Sequence, residues 1–197
     1  MLKIGVLVSG GGTNLQALID AAEAQNLKAE IAVVVSSNPR AYALERAKLH
    51  GIEAVCVKRR NYKEQADYDA VMARILEERG VGLAVLAGFL PILGPLFLKA
   101  FHRRVINIHP ALIPAFCGKG FYGIKVHEAA LARGVKVTGA TVHLVDEGTD
   151  TGPILLQKAV EVREGDTPET LRRRVMEQGE WVLLPEAVRL FAEGLIP

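Results

Sequence analysis

The chain reads as an α/β protein with a Rossmann-like, doubly wound, mostly parallel sheet and an antiparallel C-terminal edge. Three observations lead there. Its apolar segments are short, rich in β-branched residues and nearly continuous, as in Leu2 to Val8 and Glu30 to Ser36; strands covered on both faces read this way. Amphipathic segments of helical period separate them, and such alternation builds a parallel sheet through right-handed crossovers. After Gly134 the alternation stops. Lys136 to Val145 and Ile154 to Val162 read as strands with no helix between them, and so as an antiparallel pair.

The elements follow in order. Strand Leu2 to Val8 runs through a glycine turn into a helix from Asn14 to Ala24. Strand Glu30 to Ser36 is closed by the turn Asn38-Pro39. A helix from Tyr42 to His50 leads to a third strand near Glu53 to Val57, and a helix near Tyr68 to Arg79 leads to strand Leu83 to Ala87. The uncharged stretch from Gly80 to Leu98 is about long enough to span a bilayer. Gly88, Pro91, Gly94 and Pro95 interrupt it, so it reads as a buried strand followed by an apolar loop. Strand Val105 to His109 follows, and a helical tail from Pro168 to about Gly194 closes the chain.

With 197 residues and no repeat, linker or low-complexity segment, the chain is expected to form one domain. Half of the residues are hydrophobic and 23% charged, which excludes a disordered chain. A formal net charge of +2 leaves no electrostatic footprint for nucleic acid. Cys56 and Cys117 form neither a disulfide framework nor a metal-ligand spacing. The short apolar stretch after Lys3, running into glycines, does not read as a secretory signal. The expected setting is cytoplasmic, and the expected partners are small molecules rather than nucleic acid or membrane. Self-association as a homodimer stays open.

Three segments carry chemistry. Ser9-Gly10-Gly11-Gly12-Thr13-Asn14 joins the first strand to the first helix, where open α/β sheets bind ligands. Glycines let backbone N–H groups approach an anion, and the helix end adds partial positive charge. Thr13 or Asn14 is placed to cap that helix. A phosphate suits the loop, whereas a tight turn alone needs fewer glycines. Leu15 stands where a dinucleotide fingerprint requires glycine, and Ser36-Ser37-Asn38-Pro39 supplies no acid at the second strand's end.

In Val105-Ile106-Asn107-Ile108-His109-Pro110, Asn107 and His109 lie two apart on a strand and face the same way. One offers a neutral N–H donor, the other a group that titrates near neutral pH, and together they suit chemistry at a carbonyl. A capped strand end with locally satisfied polar groups is the plain alternative. Thr141 to Val145 runs into the acidic loop Asp146-Glu147-Gly148-Thr149-Asp150-Thr151-Gly152. A carboxylate there could hold the His109 imidazole and favour its protonated form. A two-histidine, one-carboxylate metal site from His109, His143 and a loop aspartate is a competing assembly, though nothing in the spacing forces the histidines together.

Taken together, S-G-G-G-T-N-L-Q, L-A-G-F-L, N-I-H-P-A-L-I-P and T-V-H-L-V-D-E-G-T-D-T-G resemble the phosphoribosylglycinamide formyltransferases over essentially the whole chain. The resemblance implies the formyltransferase fold in a single catalytic domain, 1–197. It implies direct transfer of the formyl group of 10-formyltetrahydrofolate, a co-substrate, to the amine of phosphoribosylglycinamide. No metal and no covalent enzyme intermediate are implied. Asn107, His109 and Asp150 fall on the family's catalytic positions, with Asp150 raising the basicity of His109. Gly12, Thr13 and Asn14 fall on its phosphate-binding positions, and Glu180 on a carboxylate used for the ribonucleotide, although the helix is one residue out of step before it. Leu90, Pro91, Ile92 and Leu93, with Asn107 and the loop Val145 to Asp150, fall on the folate site.

Three departures stand out. Pro91 and Gln65 occupy positions where relatives carry arginine, the latter against the folate carboxylates, which leaves Lys58 to Lys63 as the place to hold the glutamate tail. The loop Phe116 to Gly123 is longer than in some relatives, and its glycines fit a mobile lid. A formyl-folate hydrolase and a non-catalytic phosphosugar-binding module are the alternatives; the second has no need of Asn107, His109 and Asp150 together.

Overall fold

The structure is a computed structural model that describes residues 1–196; Pro197, the last residue of the expected domain, lies outside them. A seven-stranded sheet in the order β3-β2-β1-β4-β5-β6-β7 forms its centre. The strands are β1 (Leu2–Val8), β2 (Ala29–Ser36), β3 (Ala54–Cys56), β4 (Leu83–Leu86), β5 (Val105–His109), β6 (Val137–Leu144) and β7 (Ile154–Glu161). The first five pair in parallel and β6 and β7 antiparallel, as the loss of alternation after Gly134 predicts. Chain direction of the crossovers reverses between β1 and β4. In open α/β sheets the crevice beyond the strand ends at such a point receives ligands.

The helices are α1 (Thr13–Glu23), α2 (Tyr42–Leu49), α3 (Gln65–Glu77), α4 (Pro95–Ala100), α5 (Ile124–Arg133), α6 (Pro168–Val175) and α7 (Trp181–Ala192). Alternate strand residues feed two cores. Ile4, Val6, Val8 and Val142 pack with Leu15, Leu18, Val175 and Leu184 on one face. Leu7, Val33 and Val35 pack with Tyr68, Met72, Leu76 and Phe97 on the other. Removing this apolar surface from water at roughly 25 cal/mol per Å² is what holds the layers together.

Four expectations need correction. The apolar loop after β4 contains α4, which begins at Pro95, where a missing N–H costs nothing. The buried carboxylate of Asp69 accepts from the N–H groups of Gly94 (2.9 Å) and Phe97 (3.4 Å) and so satisfies that helix start. Helix α5, unassigned from sequence, occupies Ile124–Arg133, and α3 starts three residues earlier than its apolar pattern. The C-terminal tail is also not one regular helix. A π-helical turn, Met176–Glu180, separates α6 from α7 and absorbs one extra residue. No helix among the described residues is long and apolar enough to cross a membrane.

Candidate active site

Side chains converge where β5 meets β6. Their antiparallel register sets Asn107 opposite His143 and His109 opposite Thr141. The Asn107 Nδ2 group lies 3.1 Å from His143 Nε2. His143 Nδ1 lies 2.8 Å from the Leu144 carbonyl, which can only accept, so Nδ1 carries a proton. Nε2 is the ring atom left to face the Asn107 amide. That bond aims the amide and uses one of its two N–H groups. His143 was read as a rival metal ligand; the structure makes it the partner that orients Asn107.

His109 is 4% exposed, and its Nε2 lies 2.8 Å from the Phe116 carbonyl. By the same reasoning Nε2–H donates, and Nδ1 faces Asp150 Oδ2 at 3.6 Å. Asp150 Oδ1 lies 3.5 Å from His143 Nε2, and Oδ2 accepts from the Gly118 N–H at 2.9 Å. The segment following Pro114 thus touches both groups, His109 through Phe116 and Asp150 through Gly118. Phe116 (φ 49°) and Asp150 (φ 58°) are both left-handed, a conformation that costs non-glycine residues on the order of 1–3 kcal/mol. The 146–152 loop is braced internally by Asp146 Oδ1, which accepts from Gly148 N–H (3.1 Å) and Thr151 Oγ1 (2.6 Å). Gly152 passes so close to the Leu144 carbonyl that a Cβ would stand 1.8 Å from its oxygen.

Asp150 acts on His109 in the expected direction, raising its basicity, but it does not set the net shift. Burial pulls the His109 pKa down, and the Phe116 carbonyl and Asp150 only partly offset it, so it lies below the ordinary histidine value. Burial pushes Asp150 up, but His143, the Gly118 N–H and His109 outweigh it, and its pKa is lowered. The resting pair at pH 7 is therefore a neutral imidazole facing a carboxylate, with an open seat for a proton on Nδ1. The two histidines do share one aspartate, yet among the described residues no group of three or more His, Cys, Asp or Glu is arranged to hold a metal ion.

The glycine loop lies beyond β1. Gly12 is the N-cap of α1 in left-handed geometry, and no side chain caps this helix. The expected cap from Thr13 or Asn14 is thus absent, because both side chains are turned to the C-terminal segment. Thr13 Oγ1 donates to Met176 Sδ (3.8 Å), and Asn14 Nδ2 donates to Glu180 Oε2 at 2.6 Å. The π-helical turn carries Glu180 into the interior, where burial raises its pKa and Asn14 and Arg172 only partly counter it. Asn14 Oδ1 is buried with no partner. Gly12, Thr13, Asn14 and Glu180 are therefore one cluster, as their assignment to one substrate requires.

The segment predicted for folate lies beside the glycine loop. Leu90 and Ile92 are exposed, Pro91 is half-buried, and Leu93 packs into the core. Ser9 Oγ accepts from the Leu90 N–H at 2.9 Å, tying this wall to the glycine loop. Gln65 Nε2 donates to Asp69 Oδ1 (2.6 Å) and to the Ile92 carbonyl (3.1 Å). Arg59, in a 3-10 turn within the basic stretch 58–63, donates to Gln65 Oε1 at 3.0 Å. Gln65 therefore braces the wall, and Arg59 sets a cation beside it. Ser9, Asp69, His143 and the Phe116–Gly118 backbone were not singled out for these roles. None of these roles leaves a signal in a local stretch of sequence.

Comparison with known proteins defines the class. A family model described as formyl transferase matches residues 2–188, and the chain belongs to that family. It is 39% identical over 175 residues to the phosphoribosylglycinamide formyltransferase of Bacillus subtilis, covering 89% of this chain and 87% of that protein. Glycinamide ribonucleotide transformylase 1 from Symbiobacterium toebii superposes with a TM-score of 0.92 at 46% identity, covering 98% of this chain and 89% of that one. The human trifunctional purine biosynthetic protein adenosine-3 is 40% identical over 194 residues, of which this chain spans 19% of the length.

Proposed function

We propose that this chain, as a single catalytic domain, transfers the formyl group of 10-formyltetrahydrofolate to the amine of phosphoribosylglycinamide. The observation that carries the reading is that Asp150 faces His109 on one oxygen and His143, the partner of Asn107, on the other, with the anion-suited glycine loop tied through Ser9 to the 90–93 segment. The names of the relatives point to the same reaction.

The folate co-substrate supplies the activated formyl group. The wall suits its flat heterocycle: Leu90 and Ile92 expose apolar side chains along a backbone segment that can pair with its polar edge. Arg59 is placed to take a carboxylate of the tail. The glycine loop holds the ribonucleotide phosphate, and Glu180 accepts from ribose hydroxyls. Asn107 directs its free amide N–H at the formyl oxygen as negative charge grows there, a donor typically worth ~3 kcal/mol. As the C–N bond to the amine forms, His109 Nδ1 takes up the amine proton, directly or through water, with Asp150 stabilising the cation. The positive charge of the imidazolium favours the oxyanion, and Nδ1 returns the proton to the leaving nitrogen as its bond to the formyl carbon breaks. This exchange needs neither metal nor covalent enzyme intermediate. Proton transfer of this kind contributes roughly 10²–10⁴-fold. Neutral His109 in the free protein is the form that can accept the first proton.

The test follows the absorbance change as a 10-formylated folate analogue loses its formyl group, with and without phosphoribosylglycinamide. Turnover that requires the ribonucleotide is expected. Loss of formyl without it would replace the reading with a hydrolase, and no loss under either condition with a non-catalytic binding module.

A further inference from the structure

Arg46, on α2, takes no part in the reaction above, yet it is bonded to the glycine loop. Its Nε donates to the Gly11 carbonyl at 2.8 Å and its Nη1 to Gln16 Oε1 at 2.9 Å. One residue earlier in the loop, the Gly10 carbonyl accepts from the Ala43 N–H at 3.2 Å. A trans peptide unit points its carbonyl and its N–H in opposite directions. With the carbonyls of Gly10 and Gly11 both drawn to α2, the N–H groups of Gly11 and Gly12 are turned away from it. Two consecutive amides then present donors on the side where Thr13 and Asn14 begin α1.

The fit between helix and loop is close. A Cβ on Gly12 would stand 2.7 Å from Ala43 Cβ and 3.4 Å from Arg46 Cδ. The guanidinium also lies 5.0 Å from the Tyr42 ring centroid and has no carboxylate partner among the described residues. Its charge is left uncancelled beside the loop. On the far side the C-terminal segment meets this helix start through the neutral Met176 thioether on Thr13 (3.8 Å) and the Glu180 carboxylate on Asn14 (2.6 Å). Unpartnered Asn14 Oδ1, on a residue 8% exposed, marks a second unsatisfied group in the same cluster.

We propose that Arg46 is the positioning residue of the phosphate subsite: by holding the Gly11 carbonyl against α2 it aims the Gly11 and Gly12 amides at a phosphomonoester dianion, and its unpaired charge favours that anion. The proposal rests on the phosphate-binding reading of the loop, so the test reads phosphate binding apart from formyl transfer. Inorganic phosphate is titrated into ¹⁵N-labelled wild type and Arg46→Met, following the amide resonances of Gly11 and Gly12. In wild type both should move on saturation; in Arg46→Met the Kd for phosphate should rise ~10–100-fold, the range for losing a charged hydrogen-bond partner. In the transfer assay the loss should appear in the KM for the ribonucleotide rather than in kcat. The preference for phosphoribosylglycinamide over its dephosphorylated riboside should shrink by the same factor, which a merely structural role would not produce. If Arg46→Met does not fold, Arg46→Lys, which keeps the charge but loses the fork, should still weaken phosphate several-fold. Equal phosphate affinity in wild type and a folded variant, or amides unmoved by phosphate in wild type, would overturn the assignment. Phosphate binding that behaves as expected with no formyl transfer would instead overturn the reaction and leave the subsite standing.

Discussion

The two halves of the cleft are built by opposite logic. At the β5–β6 seam the chemistry belongs to side chains, and backbone holds them: Phe116 carbonyl on His109, Gly118 N–H on Asp150, Leu144 carbonyl on His143. At the β1–α1 loop the proposed binding groups are backbone amides, and side chains hold the backbone: Arg46 on Gly11, Ser9 on Leu90, with Ala43 packed beneath Gly12. The first arrangement suits a reaction in which protons move. The second suits an anion that only has to be held. Substitutions at the seam should therefore strike kcat, and substitutions at the loop should strike KM.

The sharpest test of that division is Asp150→Asn. It keeps the shape but removes the charge that stabilises protonated His109, and kcat should fall ~10²–10⁴-fold with the ribonucleotide KM little changed. A change mainly in KM would break the comparison. Asn107→Ala deletes the oxyanion donor and should lower kcat by roughly 10²–10³-fold, measured at saturating concentrations of both substrates.

The same cleft predicts a pH dependence of stability. His127 on α5 is buried with Nδ1 unpartnered, and burial, with Arg172 and His109 nearby, lowers its pKa to about 4. The unfolded chain takes up a proton near pH 6.5 that the folded chain refuses. Stability is thus full above 6.5 and is lost as pH falls toward 4, by roughly 3 kcal/mol from this residue. Denaturant unfolding between pH 7.5 and 4.5 should show this slope, and His127→Leu should flatten it.

Two smaller effects probe the loop. Gly12→Ala must place a Cβ 2.7 Å from Ala43 at a φ of 72°; the ribonucleotide KM should rise about tenfold, an effect of ~1.4 kcal/mol, with kcat nearly retained. Glu180→Gln removes a buried carboxylate whose pKa is raised by burial. At pH 7 the melting temperature should hold or rise by a few degrees, while the ribonucleotide KM rises several-fold. A fall in stability would mean that the charge on Glu180 is compensated within the free protein.

The two sites were not equally legible. Asn107 and His109 share a strand face by a period of two, and the glycine run announces itself beside a strand, so both could be read from local pattern. The partner of Asn107 lies 36 residues away in β6, and its register depends on sheet pairing that no local window contains. Asp69 beneath Gly94, Gln65 under Ile92 and Arg46 behind Gly11 were unreadable for the same reason. Each is a polar residue on a helix, indistinguishable in sequence from a solvated face until the helix is docked.

The amino-acid sequence by itself determined the alternation of buried strands and amphipathic helices, the switch to an antiparallel edge after Gly134, and the residues of the candidate site, because periodicity and backbone freedom are local properties. Tertiary structure alone decided what those residues are in place. It set the His109 pKa below the ordinary histidine value, since desolvation outweighs a carboxylate 3.6 Å away. It made His143 an orienter rather than a metal ligand, and carried Glu180 to Asn14 through a π-helical turn. Burial and cross-element distance set these outcomes, and both arise only when the layers close.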